Sequence, residues 1–308
     1  MTTTGTFVAA FDLGGTRLKA GIVDADSGHV DDVRVVDTPA DAQGALAALA
    51  AVGREWVAAR QVRATALAVP GLVAPPGTIV ALPGKLDGIV GMDLAGYLQR
   101  SFGVPALVVN DAIAYGVGEA RFGAARAHER SLVMTIGTGV GVAVVENGGP
   151  LGSGPLGGGL LGGQLPVFES AEGPRDTRGR RGTIEARCAA HAIVAAARAR
   201  GSDAADVPAI YEAIRRGDGR ARTGVDDYRR DLTRALVVLA HAHAPSVIVL
   251  GGGPMTPDNP VIDGLDEAVA AELWPGYTVA IARAERGDEA ALLGGASLAR
   301  RMADRSQA

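Results

Sequence analysis

The chain has 308 residues, 47% of them hydrophobic, with a formal net charge of −4 from 30 basic and 34 acidic side chains. That length and apolar content suffice for two domain-sized cores, while mixed charge without a basic block argues against nucleic acid as a partner. No apolar run is long enough to span a bilayer, and a single cysteine, Cys188, excludes an internal disulfide and a cysteine-rich metal site.

Residues 6–12, 17–23 and 30–37 read as three strands, followed by an alanine-rich helix over 40–60. The strongest signal lies where the first strand meets the second, in FDLGGTRLKAGIVD, Phe11 to Asp24. Gly14 and Gly15 lack a Cβ, so their N–H groups can approach an anion closely. Successive N–H groups in such a turn form a concavity that suits phosphate. Asp12, at the strand end, is placed to hold a hydrated Mg²⁺ beside that phosphate, and the Thr16 hydroxyl adds a donor. The same residues also read as an ordinary hairpin with a Gly-Gly turn.

A buried strand over 64–69 ends in Pro70-Gly71, and the Pro/Gly-rich stretch 71–91 reads as loop or short hairpin. Two polar residues there, Lys85 and Asp87, are candidates for substrate contact or for solvated loop charges. A helix over 94–102 and a strand over 106–109 lead to ALVVNDA, Ala106 to Ala112. Asp111 then stands at the carboxyl end of a buried strand and at a helix start. It reads either as a helix N-cap or as a carboxylate that accepts a proton from a substrate hydroxyl in phosphoryl transfer.

After a helix over 112–122, SLVMTIGTGVGVAVVENG, Ser131 to Gly148, repeats the strand, glycine loop, strand pattern around Gly137, Thr138 and Gly139. Neither copy is a Walker A loop or a Rossmann fingerprint, because no Gly-Lys-Ser/Thr follows and each loop leads into a strand. Two such hairpins can grip one nucleotide from both sides. That favours the catalytic reading of Asp111.

Residues 148–163 are glycine-saturated and 175–181 form a basic loop. Helices are expected over 184–200, 211–216 and 228–243, the last stopping before Pro245. A buried strand over 247–250 delivers a third glycine turn, Gly251-Gly252-Gly253-Pro254. A helix over 261–273, a strand over 278–282 and a helix over 292–302 complete an α/β layered pattern. Cys188, in an alanine-rich helical stretch, reads as a small core residue. The start lacks a positive n-region and runs directly into the first glycine turn, so a cytoplasmic protein is expected.

Taken in order, DLGGT, VPG at Val69–Gly71, VNDA at Val109–Ala112, GTGVG and VIVLGGG at Val247–Gly253 resemble the motif set of ROK proteins (repressors, open reading frames and kinases) over nearly the whole chain. The resemblance implies an actin-like, hexokinase-type ATPase fold: two α/β domains around a deep cleft. Residues 1–111 plus 292–308 would form the smaller N-terminal domain, the last helix returning to it, and 112–291 the larger one. It implies transfer of the ATP γ-phosphate to a sugar hydroxyl, usually the primary one. Carried over by position, Asp12 lies near Mg²⁺, and Gly14, Gly15, Thr16 and Lys19 meet the nucleotide phosphates. Gly137, Thr138 and Gly139 form the second phosphate loop, and Gly251 and Gly252 face the nucleoside. Asp111 resembles the general base, while Gly71, Asn110, Gln164 and Glu185 join the substrate set. A homodimer is expected. A repressor is not, because Asp12 stands too near the start for preceding DNA-binding helices.

The departures matter as much. The family usually carries Glu-x-Gly-His and a cysteine cluster that hold zinc. Here Asp176, Arg178 and Thr183 stand at the thiolate positions and Gln164 at the histidine, a set that does not suit zinc. No structural zinc is expected, and packing with an Arg–Asp ion pair is expected to hold the loop. Glu185 keeps the position of a sugar-binding glutamate, although a helix-start Glu needs no substrate. Leu161 takes the place of the other sugar-binding glutamate, and the Asn of the family's Pro-Asn-Leu-Pro-Gly-Trp segment is missing from ALPGKLDGIVG. Lost hydrogen bonds at the anomeric end disfavour plain glucose and favour a C7-cyclitol or modified sugar. An ordinary hexose kinase and a non-catalytic sugar or nucleotide sensor are the alternatives.

Overall fold

A computed structural model describes residues 6–59, 61–82, 86–152, 161–169 and 172–307. Two compact units result, one from residues 1–127, 145–158 and 285–308, the other from 128–144 and 159–284. Among the described residues, no helix is long and apolar enough to cross a membrane.

The first unit is built on β1 (Phe7–Leu13), β2 (Arg17–Asp24), β3 (His29–Asp37), α1 (Ala42–Ala59), β4 (Val62–Val69), β5 (Leu72–Ala74), β6 (Thr78–Ala81), α2 (Leu94–Phe102), β7 (Ala106–Asn110) and α3 (Asp111–Phe122). Its five-stranded sheet has the order β3-β2-β1-β4-β7. The β1–β2 pair is antiparallel, whereas β1–β4 and β4–β7 are parallel. Both faces of β1 are covered, as its alternation demands. On one face Phe11 stacks on Phe102 at 5.7 Å and tilts against Trp56 at 6.3 Å. On the other, Val8 and Ala10 pack with Leu292, Leu293 and Ala296. The stretch 71–91 holds the β5–β6 hairpin, and Lys85 lies outside the described residues.

The second unit begins at β8 (Arg130–Ile136) and takes in β9 (Val140–Glu146) as far as residue 144, while β10 (Gly149–Pro150) falls within the residues of the first unit. It continues through α4 (Ile184–Cys188), α5 (Ala190–Ala199), α6 (Val207–Arg215), α7 (Gly219–His243), β11 (Val247–Gly251), α8 (Leu265–Glu272) and β12 (Ala280–Arg283). The sheet order is β10-β9-β8-β11-β12, and β11 runs parallel to both β8 and β12. The expected loop at 148–163 includes 153–160, which lie outside the described residues.

Three differences from the sequence reading have physical causes. Helix α3 belongs to the first unit, not the second, because it crosses the closing helix α9 (Ala290–Gln307) at backbone distance. A Cβ on Gly118 or Gly294 would overlap the carbonyl of Ala290 or Ala114. The buried Glu119 carboxylate also accepts from the N–H groups of Ala124 (2.9 Å), Glu285 (3.0 Å) and Arg286 (2.8 Å), fastening the segment before α9 to α3. Second, the single helix expected over 184–200 breaks at extended Ala189 (φ −70°, ψ 165°) into α4 and α5. The break turns the Ala190 N–H onto the Gly137 carbonyl at 2.9 Å. Third, α7 starts at Gly219, well before 228, because Asp218 caps it through Arg220 and Ala221 N–H at 2.8 and 3.2 Å.

Candidate active site

In the first unit the glycine turn closes tightly. Gly14 N–H donates to Arg17 O at 3.0 Å, and Thr38 clasps the turn from outside, its hydroxyl on Gly14 O (2.8 Å) and its N–H on Thr16 O (3.0 Å). Gly15 and Thr16 stay exposed. Asp12 is half-buried at the end of β1, opposite Lys19 in the β1–β2 register, and directly opposed residues share a face. The Asp12 carboxyl is pushed up to about 7, first by burial, then by the charge of Asp111, with Lys19 opposing and Asp288 adding to the rise. Lys19 Nζ lies 2.7 Å from Asp288 Oδ1.

Asp288 is the residue that sequence reasoning missed. It sits in the 3₁₀ turn Gly287–Glu289 just before α9. Its one sequence signal is an acidic pair ahead of a helix, which the helix dipole accounts for equally well.

The cap on α3 is Asn110, not Asp111. Asn110 Oδ1 accepts from Ala112 N–H (2.9 Å) and Ile113 N–H (3.2 Å), while Nδ2 donates to Gly71 O at 2.9 Å. Capping therefore does not account for Asp111, the first helical residue, which is half-buried and takes the Ala112 N–H at 2.8 Å. Asn110 is buried and already spends its amide on the fold. Gly71 has φ +92°, and a Cβ there would overlap Ala81 O.

In the second unit Gly137 N–H donates to Gly139 O at 2.9 Å, making a closed loop with Thr138 exposed at its tip. Gly252, at φ +96°, packs so closely on Ile136 that a Cβ would overlap its carbonyl, which seats the third glycine turn beside the second. Glu185, 5% exposed, holds this loop from beneath. Its Oε2 accepts Val140 N–H at 3.1 Å, and its Oε1 accepts the Thr177 N–H (2.8 Å) and hydroxyl (2.6 Å). A Cβ on Gly139 would lie 2.6 Å from Oε2, so only glycine admits the carboxylate there.

The loop at the cysteine-equivalent positions is organised by Asp176. Its carboxylate accepts from Arg178 N–H (2.9 Å), Arg180 N–H (2.8 Å) and the Thr183 hydroxyl (3.1 Å), and pairs with Arg180 Nη2 at 2.9 Å. Burial works to raise the Asp176 carboxyl, but these donors and the Arg180 charge outweigh it and the net shift is downward. The expected Arg–Asp ion pair is thus present. Arg180 also donates to Gln164 Oε1, and Thr183 caps α4 through Ala186 N–H at 3.1 Å. Cys188 is fully buried and burial pushes its thiol up. Leu161 is exposed, and so is Asp87, whose backbone brackets the start of α1.

Asp111 and Asp288 both act through space on Asp12 without closing a metal cage. Among the described residues no group of three or more His, Cys, Asp or Glu is arranged to hold an ion directly. The donor chemistry fits a cation held through water or phosphate: hard oxygens, and a carboxyl whose ionisation a nearby divalent charge would favour.

The ROK family matches residues 8–302 of the chain. A glucokinase from Thermotoga maritima is 29% identical over 93% of this chain and 95% of its own length. An N-acetylmannosamine kinase from Escherichia fergusonii is 31% identical over 94% of this chain and 97% of its own. Among solved structures, a ROK hexokinase from Thermus thermophilus has a TM-score of 0.82 at 30% identity, covering 97% of this chain and 100% of that one. A ROK glucokinase from Streptomyces griseus, solved with glucose and AMPPNP, has a TM-score of 0.80 at 27% identity over 96% and 99% of the two chains. The fold is the actin-like ATPase fold of these kinases.

Proposed function

The chain belongs to the ROK family, and on that footing we propose that it is an ATP-dependent kinase of a sugar-like hydroxyl with Asp111 as general base. The observation that carries this reading is that Asn110 provides the cap of α3, in a place where Asp111 and Asp12 feel each other's charge. Asp111 accepts the proton of the acceptor hydroxyl as its oxygen bonds to the γ-phosphorus and ADP departs. The exposed Gly14–Thr16 turn and Lys19 receive phosphate. Gly137, Thr138 and Gly139 are taken as the second phosphate loop, and Gly251 and Gly252 as nucleoside contacts. Asp12 would hold hydrated Mg²⁺, which supplies charge neutralisation on the transferring phosphoryl group.

The same reading takes the enzyme to need no structural zinc, because Asp176, Arg180, Thr183 and Gln164 complete one another with hydrogen bonds. It takes the acceptor to be a C7-cyclitol or modified sugar carrying a primary, exocyclic hydroxyl. Gln164 is occupied by Arg180, Glu185 by the glycine loop, and Leu161 offers no hydrogen bond, so a hexose would find few partners at its anomeric end. A plain hexose acceptor is the second reading, favoured by the names of the glucokinase and N-acetylmannosamine kinase relatives. Turnover on a panel of hexoses and cyclitols decides between them. Asp111→Asn tests the mechanism: kcat should fall by roughly 10²–10⁴ with ATP affinity kept. Unchanged turnover removes Asp111 from the chemistry.

A further inference from the structure

Three arginines gather in the first unit away from the residues discussed so far. Arg121 lies in the last turn of α3, and Arg301 and Arg305 stand four apart on α9, hence on one face. The turn between β9 and β10, at Asn147 and Gly148 with φ 51° and 67°, lies against them. A Cβ placed on Gly148 would be 3.5 Å from both Arg121 Cγ and Arg301 Nη2, and one on Gly149 would be 3.2 Å from Arg301 Nη1. Glycine at both positions leaves the Arg301 guanidinium against bare backbone, with no side chain to cover it.

The charges are not balanced locally. Arg301 is half-buried, and its pKa is lowered first by burial and then by Arg121 and Arg305. Among the described residues no carboxylate lies within ion-pair distance of Arg121, Arg301 or Arg305, whereas neighbouring Arg300 pairs with Asp26 and Asp304. A guanidinium does not shed its proton near neutrality, so crowding of this kind is eased by water and salt or relieved by a bound anion. The arms are held by packed elements, α3, α9 and the hairpin, and do not hang from a flexible loop.

We propose that Arg121, Arg301 and Arg305 form a second anion site that takes a small phosphate-bearing molecule, a condensed inorganic phosphate or a phosphate ester. Forked, planar donors match phosphate oxygens two at a time. A long polyanion is disfavoured, because the chain carries net charge −4 and Asp26 and Asp304 stand beside the patch. The site does not depend on the kinase reading.

The test uses the full chain with its nucleotide loops filled by Mg²⁺ and a non-hydrolysable ATP analogue, titrated calorimetrically with pyrophosphate and, separately, glucose 6-phosphate. At low salt at least one of them binds with one equivalent per chain, and added salt weakens it. Arg301→Gln and the exposed Arg305→Gln each lower that affinity by roughly tenfold or more, while Arg220→Gln, in the second unit, does not. The tighter ligand identifies the source of the phosphate. Absence of binding to the unmodified chain at millimolar ligand, or affinity unchanged in both arginine variants, overturns the site.

Discussion

Replacing Asp12 by Asn should make the protein more stable and less active, and the size of the gain should depend on pH. The Asp12 carboxyl moves from 3.8 to about 7 on folding, through burial first and then the charge of Asp111. Between those values the folded chain keeps a proton that the unfolded chain has lost. Stability therefore falls as pH rises from about 4 to about 7 and stays low above. A shift of about three units corresponds to about 4 kcal/mol, and access of water to a half-buried carboxylate reduces this to about 2–4 kcal/mol. Asn keeps the shape and removes the charge. At pH 8 the variant should melt roughly 5 °C or more above the parent, and at pH 4 the two should coincide. Calorimetric scans without nucleotide or divalent ion measure this directly. Mg²⁺ with an ATP analogue should then narrow the gap, since only the parent gains from a cation beside Asp12. Equal melting at pH 8, or a gain of the same size at pH 4, refutes the account of the crowded carboxylates.

Glu185→Ala should strand the buried Val140 N–H and release the exposed Thr177, costing about 1–3 kcal/mol and raising the KM for ATP, as read by denaturant midpoint and steady-state kinetics. Asp176→Asn should cost stability at neutral pH and little in acid, because the lowered Asp176 carboxyl contributes above its unfolded range and loses that contribution as pH falls. Melting curves from pH 3 to 7 show the convergence, and a chelator should leave the parent's midpoint unmoved. Glu119→Ala should destabilise by about 3 kcal/mol, since three backbone N–H groups lose their acceptor. Protection of α9 amides in hydrogen exchange should drop with it.

Local grammar made much of this protein readable. A strand running into Gly14-Gly15 or into Gly137-Thr138-Gly139 is a short-range pattern, set by steric freedom at glycine and by alternation along a strand. The strands and the three glycine turns follow from that level. That Asp176, Arg178, Thr183 and Gln164 stand at the family's zinc-ligand positions was legible too, since it is a matter of residue type. Tertiary structure alone decided the rest. Asp111 reads as a possible cap on paper, and only backbone geometry at the end of β7 gives the cap to Asn110. On paper Glu185 reads as a substrate ligand or a helix-start acid, and only the folded chain shows the Val140 and Thr177 donors that its carboxylate accepts. Asp288 shows in the sequence only as half of an acidic pair ahead of a helix, because its effect on Asp12 is electrostatic, and Coulomb energy depends on separation in space and on burial, neither of which is written in sequence order.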